Sequence, residues 1–580
     1  MLYLSGGPGG SAVREAATVP NLRSNLQAVR VTRDLVFYDQ RGTGLSAPLN
    51  CGPVQAGIGA AIELLPEQAE AIQAIESDTE KAQVYNVAVC AGVYGAAGVD
   101  LAHYNSIASA KDMARLMTGL GYEQYNLYGT SYGTKLAQVA LRETPERIRQ
   151  AVLDGTSPVS QPQMANSFIE SNEQYVRLFA QCAADPACNA AYPNLPDRFT
   201  ALLNRLKDNP IALEEPIKPV GLMTLLAGNE PINIIDPSFF NTLININNAV
   251  NNHDWGDQIS IAGQIPRTIL ALEEDDIEYV RGVFVLPDIG AAPADEVQAV
   301  SDESRIHPDN DYVAPTIDAL LAEAQKTPTV ANASTPEQQW VALVINHLAA
   351  RLQNGDKQTD VISDMIDLAI LPAQGRDSQL LIDYANEFLP QDMATQANAL
   401  VEAMTPADVR TTMWHLNEVA EAMRFNPEEQ PGFHEEVTWA VNCAEDVSLR
   451  TADVLEAAIA AAAYPQLAQG DRKSYEFLER GCNFFPKTVV APNFVEPVVS
   501  DTPVLFIQGD LDAATPPSQA REVAGHLSNA TFVLFGSEGH VVASKTSTCP
   551  GAIAAQFLDN PAGELDTSCA EAFRINFELP

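Results

Sequence analysis

The most restrictive stretch of this 580-residue chain is Gly129-Thr130-Ser131-Tyr132-Gly133, set between a β-rich run, "YNLYG" (125–129), and a helix-like run, "TKLAQVALRETP" (134–145). A strand that breaks into G-x-S-x-G and continues as a helix fits a nucleophile elbow. The turn is tight, the serine is held in strained backbone geometry, and glycines two residues to either side give it room. Glycine-rich turns that contain serine are common, so the pentapeptide draws its weight from those flanks. They call for a strand–turn–helix unit, the building block of an α/β sheet.

The rest of the chain is organised around that unit. Over 1–158, strand and helix signals alternate: "LVFYD" (35–39), "SIASAKDMARLMTGLG" (106–121), "YNLYG" and "IRQAVLDG" (148–155). Such alternation predicts a mostly parallel sheet flanked by helices. From 159 to 495 the pattern becomes mainly helical, with apolar residues at three- and four-residue spacing in "PEQQWVALVINHLAARLQ" and "TPADVRTTMWHLNEVAEAMRF". Over 496–580 the alternation returns, with "PVLFIQGD" (503–510) and "ATFVLFGSEGH" (530–540) as strands around the helix "PPSQAREVAGHLS". Residues 1–158 and 496–580 are expected to share one sheet, interrupted by a helical cap or lid over 159–495.

A serine hydroxyl needs a base to take its proton, and the base needs an orienting carboxylate. In the fold implied, these partners follow in the order Ser, Asp, His, just past later strands. Asp510 and Asp512 stand after one late strand and His540 after the next. The other histidines (103, 253, 307, 347, 415, 434 and 526) lie in helices or polar loops and read as structural or solvated.

The opening, "MLYLSGGPGGSA", admits two readings. Gly7-Pro8-Gly9-Gly10-Ser11-Ala12 fits the G-x-G-x-x-G/A dinucleotide fingerprint, and Asp39 ends the next strand. Against that, Pro8 sits where the phosphate loop presents an amide, and Asp39 lies beyond the usual ~20 residues. The favoured reading is an oxyanion loop, whose backbone amide joins that of the residue after the serine.

Composition narrows the partners. Lys+Arg 34 against Asp+Glu 75 gives −41, a field that repels nucleic acid and anionic membrane. No apolar run reaches the ~18 residues of a membrane span; "VLEAAIAAAAYPQLA" is broken by Glu456 and Pro465. The eight cysteines fall in neighbouring pairs (51 and 90, 182 and 188, 443 and 482, 549 and 569), without CxxC or zinc-finger spacing. This pattern predicts disulfides and an oxidising compartment, with unpaired buried thiols as the alternative, and neither metal nor cofactor is expected.

Taken together, "SGGPGGSA", "LVFYDQRGTGLSAP", "YNLYGTSYGTKLA", "LDGTSP", "GDLDAATPP" and "GSEGH" resemble the proline iminopeptidase and tripeptidyl aminopeptidase family of α/β-hydrolases, in its secreted branch with a TAP-like C-terminal region. The resemblance covers the two sheet-forming blocks and only outlines the middle. It implies Ser131 as nucleophile, His540 as base, Asp512 rather than Asp510 as acid, and the Gly7 and Tyr132 amides as oxyanion donors. Asp39, Gln40 and Arg41 read as bracing for the glycine loop. Ser5 departs from the histidine that many iminopeptidases carry there. Family members hold further strands ahead of this loop, and secreted ones a signal peptide, so the chain is expected to lack its first strands and export signal.

The function implied is a serine exopeptidase acting on peptides with a free N-terminus, in a secreted or periplasmic setting. A carboxylesterase with the same triad is the first alternative, and a non-catalytic binding protein on this fold the second. The carboxylates that would hold the substrate amine do not map from the resemblance. Glu435, Glu436, Glu445 and Asp446 are conceivable, with a solvated charge cluster as the blander reading.

Overall fold

The computed structural model describes residues 1–49, 98–161, 167–218, 231–252, 261–284, 333–354, 378–405, 433–446, 451–469, 479–486, 493–544 and 547–580, with isolated positions such as Cys90 between them. Its strands, numbered along the chain, are β1 (Leu2–Leu4), β2 (Val36–Phe37), β3 (Tyr125–Thr130), β4 (Ile148–Asp154), β5 (Ile211–Ile217), β6 (Ile232–Ile235), β7 (Val504–Gly509) and β8 (Ala530–Phe535). Six of them form one sheet in the order β2-β1-β3-β4-β7-β8, and every pairing in it is parallel. The two sequence blocks therefore do join, because β4 lies directly beside β7 across the intervening segment.

The central strands are buried on both faces, as parallel sheets require. Their side chains alternate: Tyr3, Tyr128, Val152, Leu505 and Ile507 pack on one face, and Leu4, Leu127, Leu153, Val504 and Phe506 on the other. The helix Cys549–Asp559 covers the first face with Ile553, Ala554, Phe557 and Leu558, and Tyr132–Glu143 covers the second with Leu136, Val139 and Ala140. This is the helix–sheet–helix layering of an α/β-hydrolase.

The segment expected as a single helical cap over 159–495 is divided. Residues 1–305 and 432–580 form one compact unit, and 306–431 form another. Within the first unit, the helices Ser167–Ala184, Leu195–Asp208, Ser238–Asn252 and Ile261–Glu273 build an apolar core around Phe179, Phe199 and Phe240. That region is not wholly helical, since β5 and β6 pair antiparallel. In the second unit, Trp340, Val344, Leu381, Tyr384 and Ala397 form a separate helical core.

Disulfides join Cys182 to Cys188, Cys443 to Cys482 and Cys549 to Cys569. The expected pairing of Cys90 involves Cys51, which lies outside the described residues. Among the described residues no helix is long and apolar enough to cross a membrane.

Candidate active site

Ligand sites in open parallel sheets lie past the carboxyl ends of the strands. Ser131, the residue after β3, has φ 52° and ψ −124° and forms the N-cap of the helix Tyr132–Glu143. Such a backbone costs about 1–3 kcal/mol for a non-glycine residue and persists only where the surroundings enforce it. One enforcing contact is the approach of β1: a Cβ on Gly133 would stand 2.1 Å from the Leu4 carbonyl oxygen, so only glycine fits there. Another is the Ser131 amide, which donates to the Asp154 carbonyl at 3.0 Å.

Asp512 and His540 meet beyond β7 and β8. His540 Nδ1 lies 3.0 Å from both carboxylate oxygens of Asp512, and the acid side chain is wholly buried while the imidazole keeps 19% of its surface exposed. Asp512 also accepts from the amides of Ala514 (2.9 Å) and Thr515 (2.8 Å), the Thr515 hydroxyl (2.8 Å) and Gln508 Nε2 (3.1 Å). Burial pushes its carboxyl up, but His540 and the amide and hydroxyl of Thr515 hold it below the usual carboxylate range. Bound in this way, Asp512 fixes the imidazole with Nδ1–H as donor and leaves Nε2 as the basic nitrogen.

Asp510, two residues away, faces elsewhere. It pairs with Arg177 Nη1 at 2.8 Å and accepts from Gln181 Nε2 at 2.7 Å, both on the helix Ser167–Ala184. The two aspartates therefore have different partners: one holds the histidine, and the other ties the acid-bearing loop to a helix.

The glycine loop lies against the serine. A Cβ on Gly6 would be 2.9 Å from Ser131 Cβ and 3.4 Å from its Oγ. Gly7 adopts φ +110°, and a Cβ there would meet the Gly9 nitrogen at 2.7 Å and the Phe433 ring at 2.8 Å. Among the described residues, no hydrogen bond takes up the amide of Gly7 or of Tyr132. The loop is held from outside by the helix Glu435–Glu445: His434 N donates to Gly9 O at 2.9 Å, and Thr438 Oγ1 donates to Pro8 O.

Asp39 braces the same loop. Its carboxylate accepts from Ser11 Oγ (3.0 Å), Val13 N (3.1 Å) and Leu45 N (2.8 Å). A dinucleotide site would need that acid for a ribose, but here the chain's own backbone occupies it. Arg41 bonds Asp112 through Nε (2.8 Å) and His103 O through Nη1 (2.9 Å), while the Gln40 carbonyl accepts from the Thr43 amide at 3.0 Å. Ser5, in place of the usual histidine, donates to Glu15.

The acidic group near the end of the segment is not a solvated cluster. Glu445 and Asp446 are fully buried around Lys135, whose Nζ stands 2.9 Å from Asp446 Oδ1 and 3.7 Å from Glu445 Oε2. Glu445 also accepts from Ser106 N at 2.5 Å and Ser106 Oγ at 3.1 Å, and Ser106 Oγ lies 2.7 Å from the Tyr132 hydroxyl. Burial raises Glu445 to about 6 despite Lys135. Glu435, in contrast, is exposed, and Glu436 is half-buried.

Of the remaining histidines, His103 is exposed beside Asp100 (3.4 Å) and His526 is exposed. His434 is buried, with Nε2 accepting from Gly44 N at 3.0 Å and Nδ1 at 3.0 Å from Leu49 O. Burial lowers its pKa, and the two contacts define a neutral Nδ1–H ring with a structural place. His253, His307 and His415 lie outside the described residues.

Sequence reasoning gave no role to Gln508, Thr515 or Asp154, although Asp154 and Thr515 fall within "LDGTSP" and "GDLDAATPP" and Gln508 sits near the carboxyl end of β7.

Comparison with known proteins adds two matched regions. The profile of the family described as alpha/beta hydrolase fold matches residues 1–187, and that described as TAP-like protein matches 468–569. A tripeptidyl aminopeptidase of Streptomyces lividans is 30% identical over 154 residues, 27% of this chain and 28% of that protein. A serine protease Hip1 of Mycobacterium tuberculosis is 29% identical over 191 residues, 32% of this chain and 35% of that protein. The matched stretches thus span about a quarter to a third of these relatives' own length.

Proposed function

We propose that this chain is a TAP-like α/β-hydrolase, as the profile matches over 1–187 and 468–569 support, and that it acts as a serine exopeptidase releasing short peptides or single residues from free N-termini. The observation that carries the proposal is the strained Ser131, just past β3, together with a histidine past β8 of the same sheet that is held at Nδ1 by a buried aspartate. In the reaction, His540 Nε2 takes the Ser131 proton as Oγ attacks the scissile carbonyl. The amides of Gly7 and Tyr132 receive the oxyanion. Imidazolium then protonates the departing amine, and water cleaves the acyl-enzyme through the same base.

The choice of amide over ester, and of chain ends over chain interiors, rests on the named relatives. The paired cysteines suit a secreted or periplasmic setting. The test compares hydrolysis of tripeptidyl and aminoacyl arylamides with that of simple acyl esters, followed by product masses from a peptide library. Arylamide turnover with loss of both turnover and fluorophosphonate labelling in Ser131→Ala is expected. Turnover of esters alone would replace the peptidase reading by the esterase one, and no labelling of Ser131 at all would leave a binding protein.

A further inference from the structure

One short segment at the end of β4 touches Ser131 and the His540 loop directly and reaches Asp512 through Gln508. Asp154 is fully buried, and its two ends act on different elements. Its carbonyl accepts the Ser131 amide at 3.0 Å. Its carboxylate accepts Val542 N through one oxygen and Ala543 N through the other, each at 2.8 Å. Those amides open the turn that follows His540, directly after Val541, whose φ of 54° is unfavourable for a β-branched residue.

The next two residues continue the pattern. Gly155, at φ +68°, lies under the imidazole, since a Cβ there would be 3.2 Å from His540 Nδ1 and 3.3 Å from Cε1. Thr156 N donates to Gln508 Oε1 at 3.2 Å, and Gln508 Nε2 donates to Asp512 at 3.1 Å. Nucleophile, base and acid are thus referenced to three consecutive backbone positions.

We propose that Asp154–Thr156 is the positioning element of this site, and that the Asp154 carboxylate sets the His540 loop relative to Ser131. The proposal rests on the triad reading above. A buried carboxylate suits the task because it can accept two amides at once, whereas an asparagine in the same space presents an NH2 to one of them. Burial raises the Asp154 pKa to about 6, although the Val542 and Ala543 amides oppose this, and the His540 and Asp512 charges act on it as well.

The test is Asp154→Asn, with enzyme concentration set by fluorophosphonate titration of Ser131 so that unfolded protein drops out. The substrate is whichever arylamide or aryl ester the wild type turns over, so a failure of the peptidase reading alone leaves the test intact. Displacing reacting groups by about 1 Å costs on the order of a hundredfold, so kcat per labelled site is expected to fall about 10- to 100-fold with KM within a few-fold. If Asp154→Asn yields no folded protein, Gly155→Ala takes its place and is expected to give the same kcat-selective loss. A folded variant with kcat near wild type, or one that changes only KM, overturns the proposal. That outcome beside an inactive Ser131→Ala would sink the positioning role while leaving the function standing.

Discussion

Lys135 Nζ stands 2.9 Å from Asp446 Oδ1, and neither side chain has any exposure to water. Lys135 lies four residues after Ser131, on the first turns of the helix that the serine caps. The pair, with Glu445, therefore anchors the helix capped by Ser131 to Glu435–Glu445, the helix whose other end holds the glycine loop.

Breaking that anchor should cost stability. Lys135→Met would leave two buried carboxylates without their cation, and removal of one partner of a buried pair typically costs about 3–5 kcal/mol. An unfolding free energy from urea titration lowered by that much at neutral pH is expected, and an unchanged midpoint would contradict the burial.

The two candidate acids should separate cleanly. Asp512→Asn is expected to lower kcat by about 10⁴-fold, because the amide no longer holds the imidazole in the productive tautomer. Asp510→Asn, which loses its charge toward Arg177 and one of its two acceptor oxygens but no contact with His540, is expected to stay within about tenfold. Steady-state turnover of both variants on one substrate decides the matter, and the reverse ranking would reassign the acid.

Stability should fall as pH rises through the acidic range. Burial lifts Asp154 and Glu445 each to about 6. A carboxyl with a raised folded pKa binds its proton more tightly when folded, so its contribution is full below about pH 4 and lost as pH climbs through about 6. Asp512 is shifted the other way, and its opposite effect lies below the ordinary carboxylate value. Chemical denaturation across this window should show the fall, and Glu445→Gln should flatten it. A midpoint that rises with pH would count against both assignments.

The disulfide between Cys443 and Cys482 closes a separation of 39 residues at the end of the anchoring helix. Replacing both cysteines by serine should cost about 2–5 kcal/mol. A melting temperature unaffected by the double substitution would argue against the bond.

Of the four carboxylates considered for the substrate amine, Glu435 alone is exposed, one residue after His434, whose amide holds Gly9. Glu435→Gln is expected to raise KM several-fold for substrates with a free N-terminus and to leave N-blocked ones unchanged. Equal effects on both would remove Glu435 from amine binding.

The sequence by itself determined the parallel sheet, the elbow at Ser131 and the chain order of serine, aspartate and histidine. These are local matters: strand periodicity, glycine placement and turn chemistry act within a dozen residues. The tertiary structure decided what depends on packing across long separations. The family resemblance favours Asp512 over Asp510 in "GDLDAATPP", but only the fold supplies their partners, His540 for Asp512 and Arg177 and Gln181 on a distant helix for Asp510. Glu445 and Asp446 read as surface charge until Lys135, more than 300 residues earlier, is found buried between them. Asp154 ends an ordinary strand, and its contact with the His540 loop spans 388 residues. Burial and long-range pairing set the charge state and partner of each of these groups, and neither is encoded in the residues beside them.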